Sequence, residues 1–181
     1  MNQRVSGYAR QPKDHYVTPG WVTRALVPHM SKYSARIWEP ACGSGKMVSA
    51  LRSKGFMVVK FTDIDTASNF LLWDEAAPPI NVIVTNPPYK LAQQFIEHAL
   101  RLMEPCQGSV AMLLRADYDH AKCRAHLFRD CPAFAKKLVL TKRIVWFVEA
   151  DGKPKASPSF NHSWFLWSWK HEGPPIISYG P

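Results

Sequence analysis

Ile80-Asn81-Val82-Ile83-Val84-Thr85-Asn86-Pro87-Pro88-Tyr89 is the stretch on which the reading of this chain turns. Its first six residues make an apolar run of strand length, and the two prolines stop the ladder, because proline has no N–H and a fixed φ. The residue before a proline is held extended. Asn86 and Pro87 are therefore expected to present carbonyls into a cleft at the carboxyl end of a buried strand. Such oxygens suit an amino group that has to be held and polarised. A helix follows at once, with Leu91, Phe95, Ala99 and Leu102 at helical spacing up to Met103.

Outward from this stretch the alternation of strand and helix repeats. Upstream, Thr18 is the expected N-cap and Pro19 the opening of a helix whose Trp21, Val22, Ala25, Leu26 and Met30 share a face, with Pro28 kinking or ending it. Ala35 to Glu39 reads as a short strand, Gly43 to Gly45 as a tight turn, Lys46 to Lys54 as a helix stopped by Gly55, and Phe56 to Thr62 as a second strand. Asp63 to Pro79 is a longer connection with an apolar centre at Phe70-Leu71-Leu72-Trp73. Downstream, Ser109 to Leu114 is apolar enough for a central parallel strand, and Asp117 to Phe128 is expected to be helical. Leu138 to Leu140 and Ile144 to Val148 are β-prone, and Ser163 to Trp169 reads as a last strand beyond the Gly- and Pro-containing segment Asp151 to Asn161. The pattern predicts an α/β fold: a Rossmann-like, mostly parallel twisted sheet flanked by helices, with a C-terminal antiparallel hairpin. Residues 1–14, with Arg4, Arg10 and Lys13 and no apolar period, read as a flexible basic arm ahead of a single domain spanning 15–181.

A length of 181 residues fits one domain of the usual roughly 100–200 residues. No apolar stretch approaches the ~20 residues of a membrane span, and Met1-Asn2-Gln3-Arg4 opens no apolar signal core, so a soluble intracellular protein is expected. Cys42, Cys106, Cys123 and Cys131 show neither C-x-x-C spacing nor a compact disulfide framework, and His15, His120 and His162 form no metal-ligand spacing. No metal is expected. The 23 Lys and Arg against 14 Asp and Glu give a net charge of +9, which draws polyanions, nucleic acid being the natural candidate.

In an open α/β sheet ligands collect beyond the carboxyl ends of the strands. That points to the first strand-to-helix turn, Glu39-Pro40-Ala41-Cys42-Gly43-Ser44-Gly45. Its glycines let backbone pass close to a ligand, and the following helix offers N–H groups to a carboxylate. Val48 stands where a dinucleotide fingerprint has its third glycine, so a smaller cofactor is implied. Asp63 ends the second strand, where its carboxylate can accept both hydroxyls of a ribose, and Ile64 can pack on an adenine ring.

Taken in order, Glu39 to Gly45, Asp63-Ile64-Asp65, Asn69-Phe70-Leu71 and Asn86-Pro87-Pro88-Tyr89 resemble the motifs of S-adenosylmethionine-dependent adenine-N6 DNA methyltransferases, over roughly residues 15–170. His15-Tyr16-Val17-Thr18-Pro19 is similar to the segment that in those enzymes contacts the methionine end of the cofactor. The resemblance implies S-adenosyl-L-methionine as cofactor, held by Tyr16, Thr18, Glu39, Pro40, Ala41, Cys42, Gly43, Gly45, Asp63, Ile64, Asn69, Phe70 and Asn86. Asn69 stands where the family usually has Asp, facing the cofactor's adenine amino group; an amide oxygen can still accept that bond, and Asp74 is the alternative. The resemblance further implies a catalytic corner of Asn86, Pro87, Pro88 and Tyr89. In it the Asn86 side-chain oxygen and the Pro87 carbonyl grip the two N–H bonds of a target adenine, and Tyr89 stacks on the base.

On the substrate side, Phe160 is the candidate second wall, with Trp146 as its alternative. Phosphate contacts are expected from Arg115, Lys142 and Arg143, and from Lys136, Lys137, Lys153 and Lys155 nearby. The chain looks like the compact enzymes of phage and prophage genomes that carry no separate target-recognition domain, which implies low sequence specificity and a cytoplasmic location in a bacterial or phage-infected cell. DNA is the expected partner. The other readings are an RNA adenine-N6 methyltransferase, a protein glutamine-N5 methyltransferase, which shares Asn-Pro-Pro-Tyr, and a non-catalytic nucleic-acid-binding subunit.

Overall fold

The computed structural model describes residues 17–31, 33–77, 79–146 and 160–181. These form a seven-stranded sheet in the order β2-β1-β3-β4-β6-β5-β7. The strands are β1 Arg36–Glu39, β2 Met57–Phe61, β3 Val82–Thr85, β4 Ser109–Arg115, β5 Phe134–Leu140, β6 His162–Ser168 and β7 Ile176–Gly180. Every pairing is parallel except those of β6, which runs antiparallel to β4 on one side and β5 on the other. The chain leaves β1 for β2 in one direction and takes up β3 in the other, so the strand order reverses between β1 and β3. A crevice at the carboxyl ends of two strands that part in this way is where open α/β sheets bind ligands.

Side chains of successive strand residues point to opposite faces, and both faces are covered. On one, Val110, Met112 and Leu114 of β4 and Ile83 of β3 pack with Phe95, Ile96 and Met103 of α3, Ala92–Met103. On the other, Ala111, Leu113, Val84 and Ile37 pack with α1, Gly20–Leu26, and α2, Lys46–Ser53. Strand β6 ties the two layers. Its Trp164 indole N–H donates to the Val22 carbonyl of α1 at 2.9 Å, and its Trp167 N–H to the Leu127 carbonyl on the opposite face at 2.7 Å. No helix among the described residues is long and apolar enough to cross a membrane.

Several local expectations are corrected. Thr18 does not cap α1: Pro19 holds the N-cap position without a side-chain bond, and Thr18 is buried. The proline at 28 ends the helix early, in the 3₁₀ turn Val27–His29. Residues 117–128 do not form an α-helix but two 3₁₀ stretches, Tyr118–His120 and Lys122–Leu127. The Arg124 guanidinium takes the Tyr118 carbonyl at 2.6 Å and lies on the Tyr118 ring, occupying an acceptor that a continuous helix would give to its own backbone. Residues 144–146 carry no strand, and residues 147 and 148 lie outside the described residues, as does the basic arm. The antiparallel β5–β6 pair is present, but β7 lies parallel to β5 beyond it, so the pair is internal to the sheet. The run Ile176-Ile177-Ser178-Tyr179 carried the β-branched and aromatic signal for β7.

Replacing the buried indole by a smaller ring that cannot donate tests the stapling role of β6. Trp164→Phe should cost about 1–3 kcal/mol of stability, read as a lower urea midpoint with an unchanged slope.

Candidate active site

The turn after β1 is latched to the end of β2. Thr62 N–H donates to the Glu39 carbonyl at 2.9 Å, Cys42 N–H to the Thr62 carbonyl at 3.0 Å, and Gly43 N–H to Asp63 Oδ2 at 2.8 Å. Gly43 (φ +47°) and Gly45 (φ +74°) are left-handed, and no atom lies within 4 Å of where a Cβ would sit on either. Backbone conformation rather than crowding demands glycine here. The other Asp63 oxygen, Oδ1, accepts the Asp65 N–H at 3.0 Å and starts the 3₁₀ turn Ile64–Thr66. Asp63 is thus a structural clamp as well as a candidate ligand contact. A carboxylate has about four lone-pair sites, so two internal bonds leave it able to accept more.

Across the switch point lies a cavity of about 380 Å³. Of the expected cofactor contacts, Thr18, Glu39, Pro40, Ala41, Cys42, Gly43, Asp63, Ile64, Asn69, Phe70 and Asn86 all line it. Gly45 shapes the turn as the N-cap residue of α2, and Tyr16 lies outside the described residues. Val17, Ser44, Lys46, Met47, Ser68, Leu71, Leu91 and Phe95 also line the cavity without having been among the expected contacts; Ser44, Lys46 and Met47 were legible as neighbours of the glycine turn. Asn69 Oδ1 accepts the Leu71 N–H at 3.1 Å, capping the 3₁₀ turn Phe70–Leu72. Asp74 is exposed and does not line the cavity. A larger hollow of about 760 Å³ opens beside Asn81, Gly108 and Lys136, at the amino ends of the parallel strands, where no strand-to-helix turn delivers chemistry.

Glu39 is 1% exposed, with Oε1 accepting the Ala41 N–H at 3.1 Å and Oε2 in no well-formed hydrogen bond among the described residues. Burial pushes its pKa up from 4.5 to about 8, the negative Asp63 adding to the rise while Thr85 and the Ala41 N–H oppose it. An uncharged carboxyl in a cavity wall is a socket for a cation, because a positive ligand supplies the counter-charge that solvent no longer does. Burial, then Asp63 and Glu39, likewise raise the Cys42 thiol, which stays protonated.

Asn86 and Pro88 line the same cavity from the end of β3, and Pro87 is buried behind them. The Asn86 amide nitrogen donates to the Thr18 hydroxyl at 3.2 Å, which orients the amide plane. Tyr89 turns away from the cavity wall; its hydroxyl meets Nε2 of His162 at 2.9 Å. Opposite His162 in the β4–β6 register is Arg115, whose guanidinium is held by Asp117 at 3.0 and 2.6 Å and lies 4.2 Å from the centre of the Phe160 ring. Arg143 donates to Asn161 at 3.0 Å. Arg115, Phe160 and Arg143 therefore gather by the first residues of β6, on the side of Tyr89. Trp146 packs edge-on against His162, with centroids 5.2 Å apart. Lys142 reaches Trp21 of α1. Lys137 is held by both Asp119 oxygens at 2.8 Å, and Lys136 by His29 at 3.3 Å beside the far hollow. Lys153 and Lys155 lie outside the described residues. No group of three or more His, Cys, Asp or Glu side chains among the described residues could hold a metal ion. His162 is the residue whose place at this site its sequence spacing did not disclose.

No family model and no curated protein sequence matches this chain. Solved structures do. A Listeria monocytogenes protein assigned to the class I S-adenosylmethionine-dependent methyltransferases superposes with a TM-score of 0.56 at 16% identity, over 88% of this chain and 62% of its own. The methyltransferase subunit of a type I restriction-modification system from Streptococcus thermophilus gives 0.56 at 12%, over 86% and 45%. The 23S rRNA methyltransferase ErmE gives 0.52 at 10%, over 90% and 72%. The chain spans about half to two thirds of the length of the first two of these structures. At these identities the likeness establishes the fold, which is that of class I S-adenosylmethionine-dependent methyltransferases.

The raised Glu39 pKa has a definite sign. The folded state keeps the proton up to about pH 8 while the unfolded chain releases it near 4.5, so this group's contribution to stability is present below 4.5 and is lost as pH rises to 8, at about 1.4 kcal/mol per unit. Glu39→Gln should therefore melt above the parent protein by a margin that grows between pH 5 and pH 8, while weakening the binding of a cationic ligand. Asp63→Ala, which unlatches the glycine turn, should lower thermal stability and ligand affinity together; loss of affinity alone would remove its structural role.

Proposed function

We propose that this protein transfers a methyl group from S-adenosyl-L-methionine to the exocyclic N6 of adenine in nucleic acid, with DNA as the substrate and low sequence specificity. The observation that carries the reading is that the glycine turn after β1 and the proline corner after β3 open on one cavity across the switch point. The residues fit the cofactor: a buried carboxyl at Glu39 for a cationic end, the Asp63 carboxylate for ribose hydroxyls, and Ile64, Asn69 and Phe70 at the far wall for an adenine. When bound, the cofactor supplies an electrophilic methyl on a sulfonium, open to in-line displacement by an amine.

The protein's part is position and charge. Thr18 fixes the Asn86 amide through its nitrogen, and the amide oxygen lies on the other branch, where it accepts one N–H of the incoming amino group. The Pro87 carbonyl, its backbone stiffened on both sides, accepts the other. Two acceptors on one nitrogen draw it toward tetrahedral geometry, aim its lone pair and take up positive charge as the nitrogen is alkylated. No metal and no strong base is required of such a step. Tyr89 offers a ring face to a base taken out of its stack, with a gain of ~1–3 kcal/mol per stacked base. The net charge of +9 favours a polyanionic substrate. Since Asp117 offsets the Arg115 charge, Arg115 and Phe160 serve better as a planar stacking wall than as a phosphate clamp, and Lys142 and Arg143, both exposed, take the phosphate role. An RNA substrate is the second reading, favoured by the likeness to a 23S rRNA methyltransferase over 90% of the chain.

Incubation with isotopically labelled S-adenosyl-L-methionine and parallel DNA, RNA and protein acceptors, followed by mass spectrometry, should yield N6-methyladenine from DNA. Label in glutamine, or in cytosine, would refute the assignment. Asn86→Ala should lower kcat by about a hundredfold or more while leaving the cofactor Kd within about threefold; a variant as active as the parent would remove Asn86 from the chemistry.

A further inference from the structure

Tyr89 and His162 are far apart in sequence, yet the Tyr89 hydroxyl lies 2.9 Å from His162 Nε2, and the two rings are nearly parallel, 25° between planes with centroids 6.1 Å apart. His162 is 2% exposed, at the first position of β6, in register with Arg115 of β4, and Trp146 braces its ring edge-on. Burial lowers its pKa from 6.5 to about 4, with the Phe160 main chain opposing the fall and Arg115 reinforcing it. Near neutral pH the imidazole is uncharged, and one ring nitrogen is an acceptor. The Tyr89 hydroxyl and Nε2 share one hydrogen bond in either tautomer, the phenol donating where Nε2 is bare and accepting where Nε2 carries the proton.

The Tyr89 ring is thereby held at both ends. Its backbone follows the two prolines and opens the 3₁₀ turn Tyr89–Leu91, and its hydroxyl is fixed by a side chain that is itself immobilised in the sheet. An unanchored tyrosine would have to give up rotamer freedom each time a base stacked on it.

We infer that His162 is a positioning residue for the acceptor base: it holds the Tyr89 hydroxyl and so presets the orientation of the ring on which the base stacks. The inference rests on the reading of Tyr89 as the stacking platform. His162 itself touches neither base nor cofactor, and its effect passes wholly through the phenol.

The test combines kinetics with a spectroscopic readout that does not need activity. With an adenine-containing oligodeoxynucleotide as acceptor, His162→Phe and Tyr89→Phe should each lower kcat/KM for the oligonucleotide about five- to tenfold, the scale of one hydrogen bond, with the cofactor Kd within about twofold. The double variant should lose no more than either single one, and His162→Gln, which keeps a hydrogen-bonding head, should recover part of the loss. Multiplying losses, or full activity in His162→Phe, would overturn the inference. Should His162→Phe fail to fold, Tyr89→Phe decides, since it leaves the β6 core intact. In ¹⁵N-histidine-labelled protein, Tyr89→Phe should move the Nε2 resonance of His162; an unmoved resonance overturns the pairing whatever the activity. If the parent protein methylates no nucleic acid while that resonance does move, the functional reading fails and the positioning role fails with it, leaving only a structural pair.

Discussion

The Asp63 carboxylate is the constraint on which the site depends. It accepts the Gly43 N–H on one oxygen and the Asp65 N–H on the other, and so binds the turn after β1 to the turn after β2. Without that latch, left-handed backbone at Gly43 and Gly45 has no reason to persist, because glycine gives up more conformational freedom on ordering than other residues. The glycine-turn side of the cavity wall depends on these two hydrogen bonds together with the backbone bonds of Thr62 to Glu39 and Cys42. A carboxylate used in this way couples the shape of the pocket to whatever ligand engages its remaining lone pairs.

Glu39 shows the opposite logic. Its carboxyl sits at the end of β1 with one oxygen in no well-formed hydrogen bond, a state that weakens the fold as soon as the proton leaves. Strand residues at the wall of a cavity are more easily stabilised by an apolar side chain. Retaining an acid there makes sense where a cation completes the site, and strain of this kind is characteristic of functional positions.

Much of this was written in local sequence. Proline stops, helical spacing and glycine turns are short-range signals, and they located β1 to β4, α2 and α3 within a residue or two. Residues that face one cavity were legible as well, because a parallel sheet gathers the carboxyl ends of its strands on one side. What escaped was set by register. The bond from Asn86 to Thr18 spans 68 residues and that from Tyr89 to His162 spans 73; the first has no meaning until the segment ahead of α1 is brought to the end of β3, and the second none until β6 is set beside β4. The failed helix at 117–128 was lost to a side chain, Arg124, competing for a backbone carbonyl, which propensity does not register. Thr18 looked like a cap because its partner, Asn86, lies across the switch point.

The placement of β6 has a consequence for how the protein comes into being. Although late in the chain, it occupies the middle of the sheet, between β4 and β5, and its tryptophans fasten helices on both faces. A ribosome-bound chain that has emerged only as far as the end of β4 owns every residue that lines the cavity, but it has no β6 to pair with β4 and no His162 to anchor Tyr89. Competence is therefore acquired in one late step, when a strand made tens of residues afterwards slides into the gap. Contacts so distant along the chain close slowly, so the sheet around the site is completed only after β6 has been made.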